Sequence, residues 1–149
     1  MYRNALAAFD LDDDAGTALI ARRCADMAGI LGCHLALIHV RMNIPDAYRR
    51  MLPDQWEPNQ RSEIAYRLGE IARQHGFAEQ VSSVLSPAGS VSEEVLRSAA
   101  ELDVDAIVVA AHRMDIKRLV MGSNTNAIVR DAQCDVVVVR QATPGHGQA

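Results

Sequence analysis

Five short apolar runs are spaced along the chain: "NALAAFD" (Asn4 to Asp10), "LALIHV" (Leu35 to Val40), "QVSSVL" (Gln80 to Leu85), "AIVVAA" (Ala106 to Ala111) and "DVVVVR" (Asp135 to Arg140). All but the third lack alternation with polar residues, the pattern of strands covered on both faces in a parallel sheet. "QVSSVL", with Ser82 and Ser83, reads as a less buried edge. Between the runs the apolar period lengthens to the helical one. Ile20, Cys24, Met27, Ala28 and Leu31 form one stripe, and Ile64, Leu68, Ile71, Ala72 and His75 a second. Val91, Val95, Ala99 and Leu102 form a third, and Ile128, Val129 and Ala132 a short fourth. Strand and helix thus alternate four times before a closing strand. This order predicts an α/β fold, a doubly wound parallel sheet with right-handed crossovers and helices on both faces.

Local punctuation agrees with these boundaries. Asp12, Asp13 and Asp14 suit the start of the first helix, Gly32 its end, and Ser90 with Glu93 has the spacing of a capping box opening the third. The stretch from Arg41 to Gln60 carries three of the five prolines and the one Trp, and reads as a long connection with a single helical turn. Connections of that length in compact domains are often functional covers. The tail 141–149 has no apolar face and is expected to be flexible. A chain of 149 residues can bury roughly 70% of its unfolded surface in one core, so one domain over 1–149 is expected.

Composition narrows the partners. The formal charge of −4 offers no clustered positive surface for a nucleic-acid backbone, and Arg22-Arg23 and Arg49-Arg50 are isolated pairs. No stretch approaches the roughly eighteen uninterrupted apolar residues of a membrane span. The start "MYRNALAAFDLDDD" turns acidic too soon for a secretory signal, which points to the cytoplasm. Cys24, Cys33 and Cys134 form no CxxC pair and fall in apolar surroundings, as buried reduced thiols do.

In an open parallel sheet, ligands collect beyond the carboxyl ends of the strands, where strand order reverses. Phe9-Asp10, Val40 and Ala110 to Arg113 occupy such ends, together with the loop leading to Gly122. A carboxylate at Asp10 could accept from a ribose or an adenine amino group, or simply assist the following acids at the helix start. "GSNT" (Gly122 to Thr125) combines a close-approach glycine with helix-start amides and the side-chain donors of Ser123, Asn124 and Thr125, which suits an anion. The same four residues also make an ordinary turn and N-cap. His112 and Arg113 stand where the fourth strand ends, Arg113 being the stronger phosphate donor. No HExxH, GxSxG or GxGxxG is present, and no Walker lysine follows a glycine loop, so no catalytic residue is assigned.

The order of elements, "AFDLDDDAGTAL", "SPAGSVSEEVLRSA" and above all "DVDAIVVAAHRMDIKRLVMGSNTNAIVRDAQCDVVVVR" resemble the universal stress protein family. The resemblance implies a five-stranded parallel sheet in the order 3-2-1-4-5, a homodimer and, in one branch, ATP held through G-x2-G-x9-G-[ST]. Gly122-Ser123 match the last pair. The first two glycines fall on Ala110 and Arg113, with a spacer of eight, or on Val109 and His112 without a gap. Small bacterial members with a His-Arg strand end and "GSN" are similar to this chain, whereas the branch that does not bind ATP has lost the glycines. By residue, the resemblance places adenosine against Phe9, Asp10 and Val40. It places the phosphates against Ala111, His112, Arg113, Gly122, Ser123, Asn124 and Thr125, with Mg2+ arriving on the nucleotide. It therefore implies an ATP-binding regulatory module with little or no hydrolysis, the alternative being a structural or interaction dimer that binds no nucleotide. In the implied order the last strand is an open apolar edge, so the dimer is expected through Val136, Val137, Val138 and Val139.

Overall fold

The computed structural model describes residues 1–111, 113–115, 118–119 and 122–141, with 113–115 and 118–119 described by their backbone. Its elements run β1 (Asn4–Ala8), α1 (Asp14–Leu31), β2 (His34–Ile38), α2 (Asp46–Arg49), α3 (Trp56–Gln74) and β3 (Val81–Leu85). They continue with α4 (Val91–Glu101), β4 (Ala106–Ala110), β5 (Arg113–Asp115), β6 (Arg118–Leu119), α5 (Ser123–Asp131) and β7 (Asp135–Val139). A 3-10 turn at Ala78–Gln80 leads into β3. The five long strands form one parallel sheet in the order β3-β2-β1-β4-β7. This is the 3-2-1-4-5 order, with β1 central.

Side-chain alternation explains why the strands are apolar throughout. Ala5, Ala7, Leu35, Leu37, Ala106 and Val108 pack with Ile20, Cys24 and Met27 of α1 and with Ile64, Leu68 and Ala72 of α3. The intervening Leu6, Ala36, Ile38, Ile107 and Val109 pack on the opposite face with Val95, Ala99 and Ile128 of α4 and α5. Each fully buried Leu or Ile contributes about 1.5–3 kcal/mol. A period-two polar strand would forfeit one of these cores. β3 does alternate, half-buried and exposed in turn, as its edge position allows.

The helix boundaries follow from their caps. Asp13 is the N-cap of α1 and accepts from the Gly16 amide at 3.0 Å. Gly32 ends the helix at φ 64, with its own amide on Ala28 O and that of Cys33 on Met27 O. Ser90 is the N-cap of α4, but its side chain makes no cap bond, so the capping box expected with Glu93 is not formed.

Three features differ from the sequence pattern. The strands at β1, β2, β4 and β7 stop one or two residues before the apolar runs do, because the chain leaves the sheet to build loops. α3 begins at Trp56, eight residues before its first apolar stripe residue, so the last part of the Arg41-to-Gln60 stretch is helical. Pro58 is tolerated there because a first-turn amide has no intrahelical partner to lose. α2 supplies the single helical turn in the remaining connection. Finally, β5 and β6 form a small antiparallel ribbon between β4 and α5.

Candidate functional site

The turn from β1 to α1 is held by bonds that its own sequence provides. Asp10 Oδ1 accepts from the Asp12 amide at 3.0 Å, while Asp10 O accepts from the Asp13 amide at 3.0 Å and from Thr17 Oγ1 at 2.9 Å. Asp10 thus shapes the turn, and the capping falls to Asp13. His39, just past β2, places Nδ1 3.0 Å from Phe9 O and 3.4 Å from the Leu11 amide, and Arg67 Nη2 donates to Leu11 O at 3.0 Å. The β1 end of the sheet is therefore fixed by bonds within the protein.

On the other side of the reversal point, Gly122 is the N-cap of α5 in extended backbone (φ −62, ψ 163). The first helical bond runs from the Asn126 amide to Gly122 O at 2.9 Å, so the amides of Ser123, Asn124 and Thr125 precede it and point out of the helix start. Ser123 and Asn124 are exposed. Thr125 is buried, and its hydroxyl lies 3.5 Å from Ala110 O, turned toward the strand end.

Between these two walls lies a cavity of about 630 Å³, well inside the roughly 300–1,000 Å³ of small-molecule sites. Ala8, Ile38, Val109, Ala110, Ile20 and Ile128 give it an apolar lining, and Asp10, Asp12, Asp13, Thr17, His39, Ser123 and Asn124 face it with polar groups. Of the residues singled out from sequence, Phe9, Asp10, Val40, Gly122, Ser123, Asn124 and Thr125 line this one space. Phe9 does so from within the core, at 3% exposure. Ala111 is not among the lining residues; its amide donates to Val139 O at 2.9 Å. His112 lies outside the described residues, and Arg113 is placed only by its backbone, at the start of β5.

Sequence reading missed Gly16, His39, Arg41, Met42, Gly89 and Val91, all of which line the cavity. Gly89 and Val91 follow β3, so the rule that selected the ends of β1, β2 and β4 would have found them there too. His39 carries no local signal, because an apolar strand context hides a side chain that turns back to Phe9. Arg41 is part of the cavity's lining. Only 9% exposed, it donates from Nε to Ser86 O at 2.6 Å and from Nη2 to Glu57 at 3.2 Å. That hydrogen bond holds the Glu57 carboxyl below the usual carboxylate range, and the charges of Arg41, Arg61 and Arg49 add to it.

The thiols take no part in the cavity. Burial pushes the Cys24 thiol up to about 12, with Cys33 adding to the effect, so it is not a nucleophile at neutral pH. No group of three or more His, Cys, Asp or Glu suited to holding a metal occurs among the described residues.

The model of the universal stress protein family matches residues 1–140 of the chain. The chain belongs to the universal stress protein family. Universal stress protein A homolog 1 of Coxiella burnetii is 30% identical over 142 residues, covering 93% of this chain and 96% of that protein. Among solved structures, the universal stress protein of Archaeoglobus fulgidus in complex with dAMP is similar at a TM-score of 0.63, with 19% identity and coverage of 93% and 98% of the two chains. A universal stress protein in complex with cAMP is similar at a TM-score of 0.64, with 16% identity and coverage of 95% and 98%. At these identities the likeness is one of fold. Among the described residues, no helix is long and apolar enough to cross a membrane.

Proposed function

We propose that this universal stress protein is a cytoplasmic regulatory module that binds ATP, with Mg2+ on the phosphates and little or no hydrolysis, and that it works as a homodimer. The observation that carries the reading is the single cavity joining the ends of β1 and β2 to the open amides of α5. In it, Phe9, Asp10 and Val40 would face the adenosine, and Gly122, Ser123, Asn124 and Thr125 the phosphates. Helix-start amides and the positive end of the helix dipole favour an anion there. The family neighbours solved with dAMP and cAMP support an adenine nucleotide as the class of ligand. Arg113 and His112 belong to the same proposal as phosphate contacts, and Ala111 as a slim strand end beside them. A metal would be held chiefly by the nucleotide, with Asp12 or Asp13 within the same cavity to complete its shell.

The second reading, an interaction dimer without nucleotide, draws on one observation: residues other than glycine stand at the first two positions of the family's ATP pattern. Calorimetry with ATP and Mg2+ separates the two. Saturable heat is expected for the wild type, and none for Gly122→Val, whose branched side chain would occupy the space of the anion. The extended backbone at Gly122 is open to any residue, so the variant is expected to fold. Silence from the wild type, or equal affinity in the folded variant, would favour the interaction dimer.

A further inference from the structure

His39 lines the large cavity, and its two ring nitrogens differ in what they meet. Nδ1 lies 3.0 Å from Phe9 O and 3.4 Å from the Leu11 amide nitrogen. A carbonyl oxygen can only accept, and it is the nearer neighbour, so Nδ1 carries the ring hydrogen and donates it to the turn between β1 and α1. That leaves Nε2 of the neutral ring as an acceptor. The side chain is half-buried, and Nε2 has no hydrogen-bond partner among the described residues. A ligand that donates to Nε2 therefore gains a bond without breaking one within the protein.

The side chains around His39 leave donors to the ligand. The carboxylates of Asp10, Asp12 and Asp13 only accept, and Thr17 Oγ1 gives its hydrogen to Asp10 O at 2.9 Å. Arg41 Nε and Nη2 are bound to Ser86 O and Glu57. The start of α5 is the reverse, with amides that precede the first helical bond and no acid in the first turn. A ligand lying across the cavity thus meets acceptors at the ends of β1 and β2 and donors at α5. We propose that His39 Nε2 accepts a hydrogen bond from a donor of the nucleoside, the adenine amino group or a ribose hydroxyl, and that His39 is a specificity-determining residue of the site. The proposal rests on the nucleotide reading above and adds to it one contact and the tautomer that makes it.

Two substitutions separate the nitrogens. His39→Asn can place an amide N–H where Nδ1 stands and keep the bond to Phe9 O, whereas His39→Gln can place an oxygen where Nε2 stands. Calorimetry on the full chain compares ATP with purine riboside triphosphate, which lacks the amino group, and with 2′-deoxy- and 3′-deoxy-ATP, all with Mg2+. For the wild type, one analogue is expected to bind about two- to tenfold more weakly than ATP, the size of one neutral hydrogen bond, and its identity names the donor. His39→Asn is expected to lose that factor for ATP, to bind the same analogue as the wild type does, and to keep the wild-type circular dichroism. His39→Gln is expected to recover part of the loss. Imidazole nitrogen NMR at about pH 8.5, where rings of ordinary basicity are neutral, reads the tautomer directly, His39 being the signal absent from either variant. A protonated Nδ1 is expected, with a bare Nε2 whose resonance moves when ATP is added. The proposal is overturned, with the nucleotide reading left standing, if the wild type binds ATP and all three analogues equally, if His39→Asn keeps the full discrimination, or if Nε2 carries the hydrogen. No heat from the wild type with ATP would overturn both.

Discussion

Two glycines beside the cavity show how differently the same residue can be required. Gly122 sits in a backbone conformation open to every residue, so in the proposed site it is the missing side chain beside the amides of Ser123, Asn124 and Thr125 that would matter. Gly16 is required by its neighbour. A Cβ built on it would stand 2.3 Å from Asp13 Oδ2 and 2.9 Å from Asp13 Cγ, while Asp13 Oδ1 is the cap acceptor for the Gly16 amide. An alanine there gains up to about 1 kcal/mol of helix propensity, but it displaces a cap worth about 0.5–2 kcal/mol. The two effects oppose each other only while Asp13 is present. Gly16→Ala is therefore expected to be neutral or destabilising in the wild type and stabilising in an Asp13→Ala background. Urea unfolding of the four proteins should show a coupling of about 1 kcal/mol. Equal effects of Gly16→Ala in both backgrounds would mean that the steric conflict is relieved elsewhere.

The elements are joined at their amino ends by a carboxylate. Asp105, just before β4, accepts from the amides of Arg3 and Asn4 at 2.7 and 2.9 Å, and these bonds hold its carboxyl below the usual range. The folded protein thus binds this proton less readily than the unfolded chain does. The stabilisation is fully present above the ordinary carboxylate value near about 4 and is lost as pH falls through the lowered folded value. Asp105→Asn keeps one acceptor and loses the charge. Its unfolding midpoint is expected to vary less than the wild type's as pH is lowered below about 4. Parallel pH profiles for the two proteins would remove Asp105 from the acid response. At this scale most of the architecture was legible, because long apolar runs and helical stripes record burial on two faces. Phe9, Asp10 and Val40 were legible for a related reason, as they close runs whose carboxyl ends must meet. The ribbon of β5 and β6 was not, since two- and three-residue strands are too short to show a period. The first turns of α3 were hidden by Pro58, Asn59 and Gln60, which are polar or helix-averse yet harmless at a helix start. Gly16 was invisible as a cavity residue because its constraint comes from Asp13 and Ala110 in space rather than from a local pattern.

For the whole molecule, the open edge of the sheet is the feature that calls for a partner. Among the described residues β7 pairs only with β4, and Val136, Val137 and Val138 are left half-buried. The Asp135 amide donates to Asp105 O at 3.3 Å and Val139 O accepts from the Ala111 amide at 2.9 Å. In a parallel ladder, alternate residues turn their backbone groups to the same neighbour. Asp135, Val137 and Val139 therefore face β4, and the amides and carbonyls of Val136 and Val138 face outward. An unpaired apolar edge of this kind is a template for another strand, and the proposed two-fold dimer would satisfy it by joining Val136 to Val139 with their symmetry copies. Val138→Pro tests this directly, because proline is tolerated on an edge strand where its missing amide faces outward. The substitution removes a bond across the dimer and none to β4. Light scattering at micromolar concentration is expected to give twice the 16.2 kDa chain mass for the wild type and a shift toward 16.2 kDa for Val138→Pro. Val137→Pro would instead break the ladder to β4 and cost folding stability, which makes it the control for a local effect. A wild type that is monomeric under these conditions, or a Val138→Pro protein that stays a dimer, would show that β7 is not the interface.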